Sequence, residues 1–481
     1  MQMDARSGYE NSISKIFAII NWLDFSFSQK FSYKKKKLSD EYQFLYATFL
    51  SCVADDRDNS FDEVIRGYLC KKAARVKGSF PRLNEKVCAK RIRKHLCFGN
   101  KTDLRYLLVS QVFYTLNLVG IPQNKEFKVI LRDNLLFKEK EFTCAMSYAE
   151  NPRCISDKRL AQSFAAYLEF TEMLSSYSLL HIANVGVCAT MSAGKSSFVN
   201  ALLGHDYLPA RNEATTARIT SVYDNDRSKN LIGFAMSGDK LSRMGDNLTE
   251  KEVDAWNADS DISHILLQGD LDNIGNNGVI VAVHDTPGTN NSSDDLHHKI
   301  TMDFLTTHDM DALVFVANAE HLGTTDEKAL LTELHQKVVA RRNIPVIFVL
   351  NKADNIDTEK ESLDAVIAGY REFLSGIGFA DAKIFPVSSK AARLLKMVRN
   401  ARSGHFTAKE QRECASMLAQ FTELHDFGSG GRQHDADGTQ TVAIGNRQHP
   451  LSEVQDALER TGLPQVEQYI EELLGGNDGK Y

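Results

Sequence analysis

The sequence predicts an α/β fold, a mostly parallel sheet flanked by helices, preceded by a mostly α-helical N-terminal domain. Three observations carry this. Residues 179–204 (LLHIANVGVCATMSAGKSSFVNALLG) read as an apolar strand, a turn of small residues and a helix. Further apolar strands recur at 278–284, 311–317, 345–350 and 383–387, with helix-length stretches between several of them. That alternation is the pattern of parallel pairing, with a ligand at the carboxyl ends of the strands. Upstream, residues 1–176 place apolar side chains at helical spacing. The expected domains are therefore 1–175 and 176–476, with a surface loop at about 426–450 that is rich in Gly and polar residues.

The first strand runs from about Leu179 to Val187, and the helix starts near Lys195 with Phe198, Val199, Leu202 and Leu203 on its apolar side. Between them, Ala189-Thr190-Met191-Ser192-Ala193-Gly194-Lys195-Ser196 fits phosphate-loop spacing, with Ala189 at the first glycine position. Such a turn presents several backbone N–H groups to one anion, so Met191, Ser192, Ala193, Gly194, Lys195, Ser196 and Ser197 are candidate nucleotide-binding residues. Gly194 permits close backbone approach. The helix N-terminus adds free donors and partial positive charge. Lys195 can reach the β- and γ-phosphates, and the Ser196 hydroxyl is placed for Mg²⁺.

Three further elements follow in order. The polar stretch 208–217 sits where a first switch belongs, and Thr216, with Thr215 as the alternate, is the candidate metal-binding hydroxyl. Residues 230–275 read as a polar, irregular insertion with short elements. The strand 278–284 then ends in Asp285-Thr286-Pro287-Gly288. Asp285 can hold Mg²⁺ through water, and the Gly288 N–H can sense a γ-phosphate, so hydrolysis would release both loops. The strand 345–350 ends in Asn351-Lys352-Ala353-Asp354. The Asp354 carboxylate can accept from N1–H and the exocyclic amine of guanine, a donor pair that adenine lacks, and the Lys352 stem can pack on the base. Ser388-Ser389-Lys390 reads as a loop whose backbone touches guanine O6.

Composition bounds the rest. At 43% hydrophobic and 25% charged residues the chain is that of a globular protein with a sizeable core. No stretch approaches the ~18–20 apolar residues of a membrane span, and the N-terminus lacks a signal-peptide pattern. Eight cysteines occur without a Cys-x-x-Cys pair, so reduced thiols in a cytoplasmic setting are expected. Residues 1–176 carry 29 Lys and Arg against 20 Asp and Glu, a net +9, and the remainder carries −15. Helices are expected at 11–28, 40–54, 61–76, 100–121 and 156–178. An aromatic amphipathic segment before Lys30 and Lys34 to Lys37 can lie on an anionic membrane, though a core helix with a charged turn is the plainer account. The basic stretch 71–94 contains only Phe80 for stacking, so a solvated face or partner surface is expected there rather than nucleic-acid binding. The repeated Arg-Gln-His at 432–434 and 447–449 is read as loop, not as a metal site. Pro464 is expected to open a last helix, Gln465–Leu474, closed by two glycines.

The set ATMSAGKSS (189–197), Thr216, DTPG (285–288), NKAD (351–354) and SSK (388–390) resembles the dynamin-family GTPases, particularly their bacterial branch, over residues 175–475. The resemblance implies a Mg²⁺-dependent P-loop GTPase with Ser192, Lys195 and Thr216 in catalytic roles. It implies that Ser192 helps hold a monovalent cation, K⁺ or Na⁺. Thr289, not a glutamine, follows Gly288, and the family completes its site by pairing G domains across the nucleotide. A GTP-dependent homodimer with stimulated turnover is therefore implied. Five residues follow Gly476, so a stalk is expected from the N-terminal half or from a partner protein, and any membrane attachment is peripheral. Two alternatives stand beside this: a nucleotide-gated adaptor with little or no turnover whose helical half docks a partner, and an RNA-associated GTPase.

Overall fold

The computed structural model describes residues 138–151, 154–156, 181–190, 192–208, 218–226, 228, 231–238, 240–245, 247–275, 279–288, 295–357, 359–400, 406–428 and 440–475, with single positions at 109, 132 and 161. The chain divides into two compact units, 1–180 and 181–481. In the first, α1 (Glu139–Glu150) buries Phe142, Ala145 and Met146, the one-face spacing of an amphipathic helix. Its first turn is closed by the Glu141 carboxylate, which accepts from the Lys138 N–H at 3.3 Å. Sequence spacing did not single this helix out. The helices expected at 11–28, 40–54, 61–76, 100–121 and 156–178, and the basic stretch 71–94, lie outside the described residues apart from isolated positions.

The second unit is built on a nine-stranded sheet: β1 (His181–Ala189), β2 (Ile219–Asp224), β3 (Ile232–Ser237), β4 (Lys240–Gly245), β5 (His264–Gly269), β6 (Val279–Asp285), β7 (Ala312–Asn318), β8 (Val346–Asn351) and β9 (Lys383–Val387). Its order is β4-β3-β5-β2-β6-β1-β7-β8-β9. From β6 to β9 every pairing is parallel; β2 pairs antiparallel to β6 and parallel to β5, and β3 is antiparallel to both its neighbours. The central strands are buried on both faces, as crossover helices require. Val185, Val187, Val314 and Val316 face one layer, with Phe198 and Leu202 of α2 (Lys195–Leu203). Leu394 and Leu395 of α7 (Ser389–Arg399), and Val466 and Ile470 of α10 (Leu463–Gly475), complete that layer. Leu313 and Phe315 point the other way, as strand alternation dictates. They meet Leu305 of α4 (Asp295–Thr307), Leu331 of α5 (Thr325–Leu334) and Leu374 of α6 (Leu363–Ser375).

Two stretches differ from expectation. The described residues of 230–275 carry the expected short elements, but as regular structure joined to the main sheet: β3, β4, α3 (Glu250–Ala258) and β5. Leu231, Ile232, Phe234, Val253 and Trp256 are buried there, and α3 opens on a Thr249-x-x-Glu252 capping box. The expected loop at 426–450 ends in a hairpin, β10 (Thr441–Ile444) and β11 (Arg447–Pro450), joined by Gly445-Asn446 with Gly445 at φ 59°. This hairpin leads to α9 (Leu451–Glu459) from α8 (Ala408–Glu423); residues 429–439 are not among those described. No helix among the described residues is long and apolar enough to cross a membrane.

Candidate functional site

Strand register assembles the site. Val187 pairs with Asp285, Leu350 with Pro386 and Asn351 with Val387, so β1, β6, β8 and β9 end along one edge of the sheet. There β1 runs into the phosphate-loop sequence. Ala189 is buried in the core as the last residue of β1, so its methyl group is accommodated by packing. Ser192 takes φ 60°, and Gly194, at φ 86°, occupies the N-cap position of α2. A Cβ at Gly194 would stand 2.3 Å from Asn351 Nδ2, so both the dihedral and the space demand glycine. Ser197 is half-buried in the first turn of α2.

At the start of α2, Lys195 is 7% exposed and its ammonium pairs with the Asp285 carboxylate, which is 1% exposed. The Ser196 hydroxyl donates to the other Asp285 oxygen at 3.0 Å. Burying opposite charges is tolerable only when they meet and their remaining valences are filled, and here the hydroxyl fills one. The end of β6 is held by Thr286, whose hydroxyl donates to the Val187 carbonyl at 2.8 Å, and Thr301 of α4 donates to the Pro287 carbonyl at 2.9 Å. A Cβ at Gly288 would meet nothing within 4 Å. Beneath the loop, burial pushes the Cys188 thiol up to about 12, with Lys195 acting weakly in the opposite sense. This cysteine is therefore a packing residue and not a thiolate nucleophile.

Asn351 ties the loops together. Its Nδ2 donates to the Ala193 carbonyl at 2.9 Å, and its Oδ1 accepts from the Ser389 N–H at 3.1 Å. Lys352 follows at φ 62°, then a 3₁₀ turn, Ala353–Asn355, that leaves Asp354 half-buried. Ser388-Ser389-Lys390 is less loop-like than expected. Ser388 caps α7, accepting from the Ala391 N–H at 3.4 Å, and the helix begins at Ser389. The Ser389 hydroxyl is buried with no hydrogen-bond partner among the described residues, whereas Lys390 pairs with Glu413 at 3.0 Å. Thus Ser192 to Ser197, Asp285, Asn351 and Ser389 come together. Met191, Thr215, Thr216 and Thr289 lie outside the described residues.

Sequence reading missed a polar chain under the sheet. His284 Nε2 stands 3.0 Å from Asn184 Oδ1, its Nδ1 2.8 Å from Ser221 Oγ, and Ser221 Oγ 3.1 Å from His264 Nε2. With His284 donating to Asn184, its Nδ1 accepts from the Ser221 hydroxyl, which in turn accepts from His264. Burial holds His284 down to about 3 and His264 to about 4, so both imidazoles are neutral. The only sequence signal was one polar residue in each of two apolar strands.

No curated relative matches the sequence. Among solved structures, the chain is similar to one of an oligomerised bacterial dynamin pair, described as a mechanism for the long-range sensing and tethering of membranes. Identity there is 16%, covering 90% of this chain and 68% of that one, with a TM-score of 0.40. It is also similar to Toc33 from Arabidopsis thaliana in complex with GDP and Mg²⁺, at 14% identity, covering 66% and 93% of the two chains with a TM-score of 0.31. Aquifex aeolicus Era bound to GDP and AlF₄⁻ matches at 19% identity, covering 50% and 67%, with a TM-score of 0.28. Residues 185–353, from within β1 through the Asn-Lys-Ala turn after β8, match the model of the Dynamin family.

Proposed function

We propose that this protein binds GTP with Mg²⁺ and hydrolyses it to GDP and phosphate, with turnover that rises when two G domains pair. The observation that carries the reading is the meeting of Lys195, Ser196 and Asp285 at a helix N-terminus whose preceding loop is fastened by Asn351. A buried ammonium beside an anion-binding helix end suits a phosphate, and Lys195 exchanges its carboxylate partner for the β- and γ-phosphate oxygens. Backbone N–H groups of Ser192 to Ser197 hold the remaining charge, and Gly288 senses the γ-phosphate. Lys195 and those amides stabilise charge on the transferring phosphoryl group. Asp354 reads the guanine edge, Lys352 packs on the base, and the turn at Ser388 to Lys390 borders it.

The Ser196 hydroxyl and the Asp285 carboxylate are hard oxygen donors, the set that Mg²⁺ takes, and Thr216 supplies a further hydroxyl. Such a cation neutralises phosphate charge. Ser192 serves a monovalent cation, K⁺ or Na⁺. The partner is a second copy of this chain or a protein that supplies a stalk. The protein is cytoplasmic, in keeping with the free thiols of Cys144, Cys154, Cys188 and Cys414, and any membrane attachment is peripheral. Lys195→Ala is expected to lower GTP affinity by at least about a hundredfold, because charged hydrogen bonds to two phosphates vanish. Fluorescent-nucleotide titration checks this, with the thermal melt as a folding control. Unchanged affinity would remove the basis of the site.

A further inference from the structure

We propose that Ser389 is a specificity-determining residue: its side-chain hydroxyl donates to the oxygen at C6 of the purine. The inference rests on the nucleotide-site reading above and adds to it a group for the edge position that Asp354 leaves unread.

Ser389 is the first residue of α7, an 11-residue helix, and is fully buried. Its hydroxyl has no hydrogen-bond partner among the described residues. Burying a hydroxyl unpaired costs free energy, and few native side chains carry that cost without a role. Neither the helix nor the core accounts for it. The preceding Ser388 already caps α7, accepting from the Ala391 N–H at 3.4 Å. Alanine would favour the first turn more and fill nearly the same volume.

The surroundings point to an acceptor. The Ser389 N–H donates to Asn351 Oδ1 at 3.1 Å, and Asn351 Nδ2 donates to the Ala193 carbonyl at 2.9 Å. One amide therefore joins Ser389 to the phosphate loop at the root of the turn that carries Asp354. The Ser388 N–H donates to the Thr461 carbonyl at 3.0 Å. Two of the three backbone N–H groups of Ser388-Ser389-Lys390 are thus engaged within the protein. The hydroxyl remains, at a helix N-terminus whose partial positive charge favours an electron-rich atom. One χ1 rotation re-aims a serine hydroxyl, and at the first helical position no earlier turn of the helix blocks it. Guanine presents a carbonyl oxygen at C6. Adenine presents an amine there, whose hydrogens would face the positive end of the helix. With Asp354 on N1–H and the exocyclic amine, all three positions along the guanine edge have a partner.

Ser389→Ala in the full chain tests this, with diphosphates as probes. GDP and IDP carry the C6 oxygen, and 2-aminopurine riboside diphosphate lacks it. Affinity for GDP and for IDP should fall alike by about tenfold, the scale of one lost hydrogen bond, while affinity for the 2-aminopurine nucleotide stays within about twofold. The melting temperature without nucleotide should hold or rise, because an unpaired buried hydroxyl is removed. A purely structural hydroxyl gives the opposite pattern, a lower melting temperature with parallel loss of all three nucleotides. That pattern would overturn the proposal, as would unchanged affinity for GDP and IDP. The unsubstituted protein gives an independent reading with 6-thio-GDP, whose sulfur is the weaker acceptor. It should bind about threefold or more weakly than GDP, and equal affinity would also overturn the proposal. Failure of the unsubstituted protein to bind GDP at all would instead sink the nucleotide site itself, so the two failures are distinct.

Discussion

At the scale of single residues, the site depends on side chains whose partners are protein atoms before any ligand arrives. Asn351 is the clearest case. The Asn-Lys-Ala-Asp motif suggests a residue turned to the base, yet both ends of its amide are engaged within the protein, by the Ala193 carbonyl and the Ser389 N–H. Asp354 is different: it is half-buried on a 3₁₀ turn, and its carboxylate is the group suited to a paired donor on guanine. Asp354→Asn keeps the shape and replaces one acceptor with a donor. That variant is expected to lower the preference for GTP over ATP by about a hundredfold, since a base facing an unmatched polar group is strongly rejected. Competition titrations with GTP, ATP and xanthosine triphosphate measure it. Xanthosine triphosphate should gain, because it offers a carbonyl where guanine has an amine. Retained guanine preference would refute the assignment of Asp354.

At the scale of elements, strands β1, β2, β5 and β6 are cross-linked by Asn184, Ser221, His264 and His284. Both imidazoles are neutral in the folded protein, with protonation held down to about 3 at His284 and about 4 at His264, whereas in the unfolded chain they titrate near the ordinary 6.5. The unfolded state therefore takes up protons first as pH falls. Their stabilising contribution is complete above about 6.5 and is lost progressively from there toward 4. For His284, which is 4% exposed, the loss by pH 4 is on the order of 3 kcal/mol. Asp224 acts the other way: burial raises its carboxyl to about 8, so its contribution grows as pH falls from 8 toward the usual carboxylate value. Chemical denaturation from pH 7 to 4.5 should show a shallower acid-side loss in His284→Gln than in the unsubstituted protein, and identical slopes would refute the role given to the imidazole. This chain of four polar residues was illegible in the sequence because its bonded pairs are 43 to 100 residues apart along β1, β2, β5 and β6 and meet only through strand order. Motifs whose chemistry is local were legible: the phosphate loop, Asp285 to Gly288 and Asn351 to Asp354 all stand at strand ends as their spacing implies. In 230–275 short elements were expected but not placed, because Gly233 and the polar ends of β3 and β4 hide strand periodicity, although Thr249-x-x-Glu252 announced a helix start.

At the scale of the whole G domain, a buried ionic network joins elements far apart in the chain. Lys396 of α7 is fully buried and meets the Glu467 carboxylate of α10, Asp272 at 3.3 Å and the Leu202 carbonyl of α2 at 3.2 Å. Arg399 and Asn400 add contacts to Asp272, and Asn273 donates to Glu467 at 2.6 Å. Breaking such a network strands a charge in the core, so α10 is held to the far end of the phosphate-loop helix. In the proposed reading, Thr289 follows Gly288 where a water-orienting glutamine would stand, and a second copy of the chain supplies the group that completes the site. GTP turnover per molecule should rise with protein concentration, by about tenfold or more between the dilute and the paired regime, the scale of effect that one supplied charge has in phosphoryl transfer. Light scattering should find pairs with GDP and AlF₄⁻ and single chains with GDP alone. A rate per molecule that is low and flat across the same range would identify a nucleotide-gated adaptor instead, because a site that waits for a partner cannot be indifferent to how many partners are present.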